Sequence, residues 1–205
     1  MIERWRKNVD AGNYFGAMLT DLSKALDCVV HDLLIAKLYA YGFDISSLKL
    51  IYNYLMNRNQ RVKINLSYSS WSEVHCGVPQ GSILGPLFFN IYICDMFLFV
   101  DDIDIAAYAD DNTPYIHGSS YESVTSSLVK SVNDMIDWFD ANYMKLNSDK
   151  CHLILSNNSN NNNDSTIVHY YGCFIVENKN IKLTGYTNVP YESHIAITIP
   201  HLMSY

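Results

Sequence analysis

The stretch that most restricts the fold is Ala107 to Asn112, "AYADDN", in which two adjacent carboxylates follow one short apolar run and lead into another, "TPYI". Apolar residues on either side of a polar pair read as two strands and a tight turn. Ile103 to Ile116 is therefore expected to be a hairpin carrying Asp110 and Asp111 at its tip. Pro114 lacks a ladder donor and puts the return strand near a sheet edge. Like charges side by side repel, so the pair is either solvated at a surface turn or held by a cation. Alone, it fits the solvated turn better.

Charge placement narrows the second choice. The net charge is -7, but residues 1–63 hold nine Lys/Arg against six Asp/Glu, residues 64–150 three against twelve, and the remainder two against three. The acidic middle is where a cation belongs. The same excess opposes binding of nucleic acid by this chain alone, because phosphate affinity comes largely from Lys and Arg. The 205 residues, about half of them apolar, are enough for one domain with a real core. Five scattered cysteines form no C-x-x-C pair and no zinc-spaced cluster, which reads as a reducing compartment. The first ten residues are too charged for a secretory signal, and the most apolar run, Leu87 to Val100, is broken by Asn90 and Asp95. An intracellular protein outside the membrane is expected, with nucleus and cytoplasm not separable.

Phe15 to Thr20, "FGAMLT", reads as a buried strand that delivers Asp21 at its end. His31 to Tyr41 has helical spacing and stops at Gly42, and a second helix is expected over Ser46 to Met56. The alternation of Val62, Ile64 and Leu66, followed by Trp71 and Val74, predicts a hairpin with one wet face. Pro86 to about Phe97 is a helix or a strand, undecided by periodicity. Ser119 with Glu122 resembles a capping box for a helix carrying Val124, Leu128, Val132, Met135 and Phe139. Leu146 to Leu155 is one more strand. Residues 156–165, "SNNSNNNNDS", have nothing to bury and are expected to be a linker or insertion between a domain over 1–155 and a segment over 166–205 with two short strands.

Adding Asp21 to the Asp pair changes its weight. Strands ending at Asp21 and turning at Asp110 within one sheet would gather three hard oxygen donors, a set that suits Mg2+. Such a site supports phosphoryl or nucleotidyl transfer with two ions on the order of 4 Å apart. "CGVPQGSILGP", Cys76 to Pro86, is either an ordinary loop that starts a helix, with Ser82 as its cap, or a loop whose backbone and Gln80 touch a nucleotide.

"TDLSKALDCVVHDLLIAKL", "CGVPQGSILGPLFFNIYICDM", "AYADDN" and "NYMKLNSDKC" occur in this order. Together they resemble the successive palm motifs of reverse transcriptases, the RNA-directed DNA polymerases, of non-LTR retrotransposons. The resemblance runs from about Trp5 to Leu155, and "IKLTGYTNVPYESHI" is similar to a shortened, degraded primer-grip region. It implies an α+β polymerase palm, a small antiparallel sheet with helices 31–56 and 120–140 packed on one face. It also implies that Asp21, Asp110 and Asp111 hold two Mg2+ ions, Mn2+ being a possible substitute, and that Lys150 protonates pyrophosphate. Leu26, Pro79, Gln80, Gly81 and Tyr108 match nucleotide-binding positions, with Tyr108 packed beneath the site. The implied partners are an RNA template, a DNA primer and dNTP.

Departures from the family pattern qualify that expectation. Leu26 replaces an aromatic that discriminates between sugars. Asp27, six positions past Asp21, reads as structural. The fingers, whose Lys/Arg contact the triphosphate, and the thumb are not matched, so a truncated palm is expected to be impaired alone and to need a chain that supplies them. The competing expectation is a non-catalytic remnant or binding module whose acidic hairpin serves only as a turn.

Overall fold

The computed structural model describes residues 2–147, 150–157, 167–176 and 180–190. In chain order the elements are helix α1 (Ile2–Asp10), strand β1 (Tyr14–Leu19), a 3-10 turn (Ala25–Asp27), α2 (His31–Ala40), α3 (Ile45–Leu55), β2 (Arg58–Gln60), β3 (Lys63–Ile64), β4 (Ser67–Tyr68) and β5 (Ser72–Val74). There follow α4 (Leu84–Ile93), α5 (Met96–Phe99), β6 (Asp104–Tyr108), β7 (Asp111–Gly118), α6 (Tyr121–Ala141), β8 (His152–Asn157), β9 (Ile167–Val176) and β10 (Asn180–Pro190). Residues 158–165 of the Asn-rich tract and everything after Pro190 lie outside the described residues. Among the described residues no helix is long and apolar enough to cross a membrane.

The chain forms two units. The first, built from residues 1–22, 99–137 and 146–205, contains a six-stranded antiparallel sheet in the order β10-β9-β8-β1-β7-β6. Strand β1 lies inside it, paired to β8 on one side and β7 on the other. That position explains its nearly unbroken apolar run, because side chains alternate between faces and both faces are covered. On one face Met18, Leu153 and Leu155 meet Val124, Leu128, Val132 and Ile136, the four-residue repeat of α6. On the other, Phe15 and Ala17 pack with Tyr115 and with Trp5 of α1, whose ring centroid is 4.6 Å from that of Phe15. The fold is α+β with a small antiparallel sheet, as expected.

Locally, one expectation shifts, one holds and one open choice is settled. The hydroxyl that accepts from the first turn of α6 belongs to Ser120, from Ser123 N–H at 3.2 Å, rather than to Ser119. It is the residue directly before Tyr121 that reaches the orphan amides. Pro114 lies opposite Ile105 in β7, one strand in from the edge, which is β6. Pro86 falls in the first turn of α4, where a missing N–H leaves no helical bond unmade, so the undecided segment is a helix.

The second unit, residues 23–98 and 138–145, packs α2 against α3 and α4 around Leu34, Leu38, Leu55, Phe89 and Tyr92. Helix α2 closes with Gly42 at φ 92, and Phe43 N–H returns to Leu38 C=O at 3.1 Å. Lys37 is buried there between the Tyr92 and Trp138 rings and donates to both carboxylate oxygens of Asp95, at 2.6 and 2.8 Å. Burial lowers the Lys37 pKa and the hydrogen bond and charge of Asp95 oppose it, so the pair is a structural tie.

In the first unit Gly16 of β1 lies directly against side chains of α6. A Cβ there would stand 2.7 Å from Val124 Cγ1, 3.0 Å from Leu155 Cδ2 and 3.3 Å from Leu128 Cδ2. Gly16→Ala is expected to lower unfolding stability by about 1–3 kcal/mol in urea titrations, the usual cost of overpacking. A stability equal to that of the parent would show that the helix is seated more loosely than described.

Candidate active site

The acidic site is built on one ladder. Strand β1 pairs with β7 so that Ala17 faces Tyr115, and a final bridge sets Thr20 against Asn112. Thr20 N–H donates to Asn112 C=O at 3.1 Å and its hydroxyl to the same oxygen at 2.6 Å. Both residues are buried. The residue after Thr20 is Asp21 and the residue before Asn112 is Asp111, so the bridge brings the two acidic stretches of backbone to neighbouring strands.

Asp110 lies in the two-residue turn that joins β6 to β7, closed by the pairing of Tyr108 with Asp111. Ala109, the other turn residue, has φ 53. A left-handed alanine costs about 1–2 kcal/mol, so the surroundings must hold the turn. Asn112 contributes to this, since its Nδ2 donates to Asp110 C=O at 3.3 Å. Tyr108 is 60% exposed, whereas the family resemblance implied an aromatic packed beneath the site. Among the described residues it occupies the outer strand of the sheet, beside β7.

The Asp21 side chain is held from the segment before β8. Asn147 Nδ2 donates to Asp21 Oδ2 at 3.1 Å, and Asn147 N–H donates to Asp21 C=O at 2.8 Å. Lys150 Nζ stands 3.5 Å from the same Oδ2. Among the described residues, no three His, Cys, Asp or Glu side chains are gathered to hold a metal as they stand. The donor chemistry nevertheless fits Mg2+: three carboxylates and no soft ligand, with the Cys151 thiol nearby pushed up by burial and so protonated. Lys150 is 67% exposed, and an ion pair that open to water is worth at most about 1 kcal/mol. Little opposes exchange of the ammonium for a divalent cation at Asp21.

The loop from Cys76 to Pro86 belongs to the second unit and is fixed there from beneath. Gly77 N–H donates to Val29 C=O at 2.7 Å and Val78 N–H to Leu26 C=O at 2.9 Å. His31, buried at the start of α2, places Nε2 2.7 Å from Gly77 C=O. Gly77 has φ 86, and a Cβ on it would come within 3.0 Å of the Asp27 backbone, which restricts the position to glycine. Gln80 Nε2 donates to Asp27 Oδ1 at 2.8 Å. Ser82, one residue before the cap position Ile83, accepts from Gly85 N–H through Oγ at 3.0 Å. Leu26 is half-buried in the 3-10 turn, Pro79 is half-buried, and Gln80 and Gly81 are exposed at the loop surface.

Residues 5–188 match the family described as reverse transcriptase (RNA-dependent DNA polymerase). The chain belongs to the reverse transcriptase family. It is similar to the RNA-directed DNA polymerase from mobile element jockey of Drosophila melanogaster, 29% identical over 143 residues, covering 66% of this chain and 15% of that protein. It also resembles the probable RNA-directed DNA polymerase from transposon BS of the same species, 28% identical over 148 residues, covering 69% of this chain and 16% of the relative. The chain therefore spans less than a fifth of the length of these relatives. Among solved structures, apo telomerase from Candida tropicalis truncated from its C-terminal domain superposes with a TM-score of 0.56 at 14% identity, over 89% of this chain and 39% of that one. At that identity the likeness concerns the fold. The two relatives are named as enzymes of a mobile element and a transposon, and this chain matches part of each.

Within this reverse transcriptase fragment, Asp21, Asp110, Asp111, Tyr108 and Lys150 fall in the first unit, and Leu26, Pro79, Gln80 and Gly81 in the second. Four further residues emerge from the structure. Thr20 and Asn112 tie the two acidic strands, Asn147 orients Asp21, and His31 supports the glycine loop. Asn147 carried a signal, because it lies in the same "LNSDK" as Lys150. Asp27, read as structural, holds the Gln80 side chain.

Thr20→Val keeps the shape and the amide hydrogen bond but removes the hydroxyl. A loss of about 1 kcal/mol in unfolding stability is expected, with faster amide hydrogen exchange at Thr20 itself. Exchange unchanged from the parent would mean that the hydroxyl does not secure the bridge.

Proposed function

We propose that this chain carries the metal-binding palm of an RNA-directed DNA polymerase, which adds nucleotides from dNTP to a primer 3′-hydroxyl opposite an RNA template. The observation that supports it most is the Thr20–Asn112 bridge between the two strands, with Asp21 following Thr20, Asp111 preceding Asn112 and Asp110 in the adjoining turn. Asp21, Asp110 and Asp111 are the residues that would hold two Mg2+ ions, or Mn2+ in their place. Bound there, the ions would activate the primer hydroxyl and neutralise charge on the triphosphate and the departing pyrophosphate. Lys150, beside Asp21, is assigned as proton donor to pyrophosphate. Asn147 orients Asp21 through its side-chain amide. Leu26, Pro79, Gln80, Gly81 and Tyr108 are assigned to the nucleotide, with sugar selectivity altered by Leu26.

Activity of the chain by itself is proposed to be weak. Residues 64–150 carry a balance of -9, which repels primer and template, so the complete reaction calls for basic surfaces beyond those of this chain. One observation favours a second reading. The Asp21 carboxylate is already engaged by Asn147 and Lys150, as in a non-catalytic remnant whose acidic hairpin is only a turn.

Primer extension on an RNA template with Mg2+ or Mn2+, together with thermal melting, separates these readings. The polymerase reading expects metal-dependent addition of a few nucleotides and a melting temperature raised by millimolar Mg2+, both abolished in Asp110→Asn. Robust synthesis lost in that variant would keep the polymerase reading and refute the weakness of the isolated chain. No extension and no Mg2+ response in the parent would favour the remnant.

A further inference from the structure

The segment between α3 and the glycine loop departs most from its sequence expectation. It folds as an arm of two stacked ladders, β2 with β5 and β3 with β4, reversing at Asn65, whose φ is 54. The alternation predicted one covered face. Instead Val62, Ile64, Leu66 and Trp71 are 62%, 68%, 94% and 62% exposed. The ladders are too short for a core of their own.

The arm is also a local reversal of charge. Between Arg58 and His75 it holds Arg58, Arg61 and Lys63 against the single carboxylate Glu73, in a chain of net charge -7, and no Lys or Arg follows Lys63 until Lys130. Those cations are arranged on aromatic rings. The Arg61 guanidinium carbon lies 4.1 Å from the Tyr68 centroid and 4.5 Å from that of Trp71, so one planar cation serves both rings. Lys63 Nζ is 5.3 Å from the Tyr68 centroid, and Arg58 rests 5.7 Å from Tyr54 at the base of the arm. Tyr68 is 50% exposed, so both rings keep surface open beyond the guanidinium. Val62 and Ser69 hold the middle of the arm through Ser69 N–H to Val62 C=O at 2.9 Å and Val62 N–H to Ser69 Oγ at 2.9 Å.

Exposed rings interleaved with cations are the physical form of a single-strand platform, with bases stacking on the rings and phosphates meeting the cations. An apolar protein partner would bury Arg58, Arg61 and Lys63 without compensation. We infer that the 58–75 arm binds single-stranded RNA through Tyr68, Trp71 and Arg61, with Arg58 and Lys63 on the phosphates. The choice of RNA rests on the polymerase reading above; the platform itself rests on the arm's own geometry.

The test is fluorescence anisotropy of a short labelled oligouridylate titrated with the full chain, in EDTA and low salt, so that no metal site takes part. Binding is expected, with the logarithm of the association constant falling linearly with the logarithm of salt concentration. Trp71→Ala should weaken it at least about fivefold. Arg61→Lys, which keeps the charge but loses the planar stack, should weaken affinity while preserving the salt slope. Lys63→Ala should flatten that slope by about one. Circular dichroism and urea titration confirm that each variant is folded. Three outcomes would overturn the inference: no binding by the parent, binding indifferent to all three substitutions, or tighter binding of the matching oligodeoxythymidylate. Self-association removed by Trp71→Ala with RNA affinity unchanged would also overturn it, assigning the arm to a second copy of the chain. The titration in EDTA reads the arm alone and the metal-dependent primer extension reads the acidic site, so failure of the metal site and failure of the arm are distinguishable.

Discussion

The double hydrogen bond from Thr20 to the Asn112 carbonyl is the contact on which the acidic site depends. Three carboxylates from two distant parts of the chain repel one another, and nothing in their own chemistry brings them together without a cation. The protein places their backbones in advance instead. A buried amide and a buried hydroxyl converge on one carbonyl at the end of the β1–β7 ladder, and the next residue on each strand is an aspartate. The stability for this comes from elsewhere, from the two apolar faces of β1 and the close approach of α6 at Gly16. Since side chains alternate, a slip of one residue in β1 would reverse its buried faces. The core thereby sets the register, and the register sets the site.

Asn147 and Lys150 hold Asp21 from a third segment of chain. The arrangement resembles a latch that is weak by design of its dielectric: an exposed ammonium costs little to displace, while the Asn147 amide can stay. The glycine loop of the second unit follows the same logic on its own scaffold, with the Val29 and Leu26 carbonyls and the His31 ring fixing its entrance and the Asp27 side chain fixing Gln80. In both places short polar contacts aim groups whose position apolar packing alone would leave loose.

Much of this was legible beforehand because it follows from local pattern. The Asp pair at a hairpin tip, the strand before Asp21, the helices at 31 and 45 and the four-residue repeat of α6 each need only periodicity and turn chemistry. What escaped needed long-range information. Thr20 and Asn112 are ordinary polar residues until the strands meet. The segment after Pro86 has no decisive period because both sides of α4 carry apolar residues. The alternation at Val62, Ile64 and Leu66 is a true strand signal, but pattern does not reveal whether a partner covers the face, and here the face stays open. Ser120 replaced Ser119 as a cap because adjacent serines differ only in which one the backbone turns toward the first amides.

The central claim is that Asp21 and the Asp110–Asp111 turn share one cation-binding locus. Paramagnetic broadening of amide resonances by substoichiometric Mn2+ in the full chain tests it most directly. The account predicts that amides around Asp21 and around Ala109 to Asn112 broaden together, at the same Mn2+ concentration, and recover together when excess Mg2+ is added. Broadening at the hairpin alone, with the amides around Asp21 untouched, would contradict it.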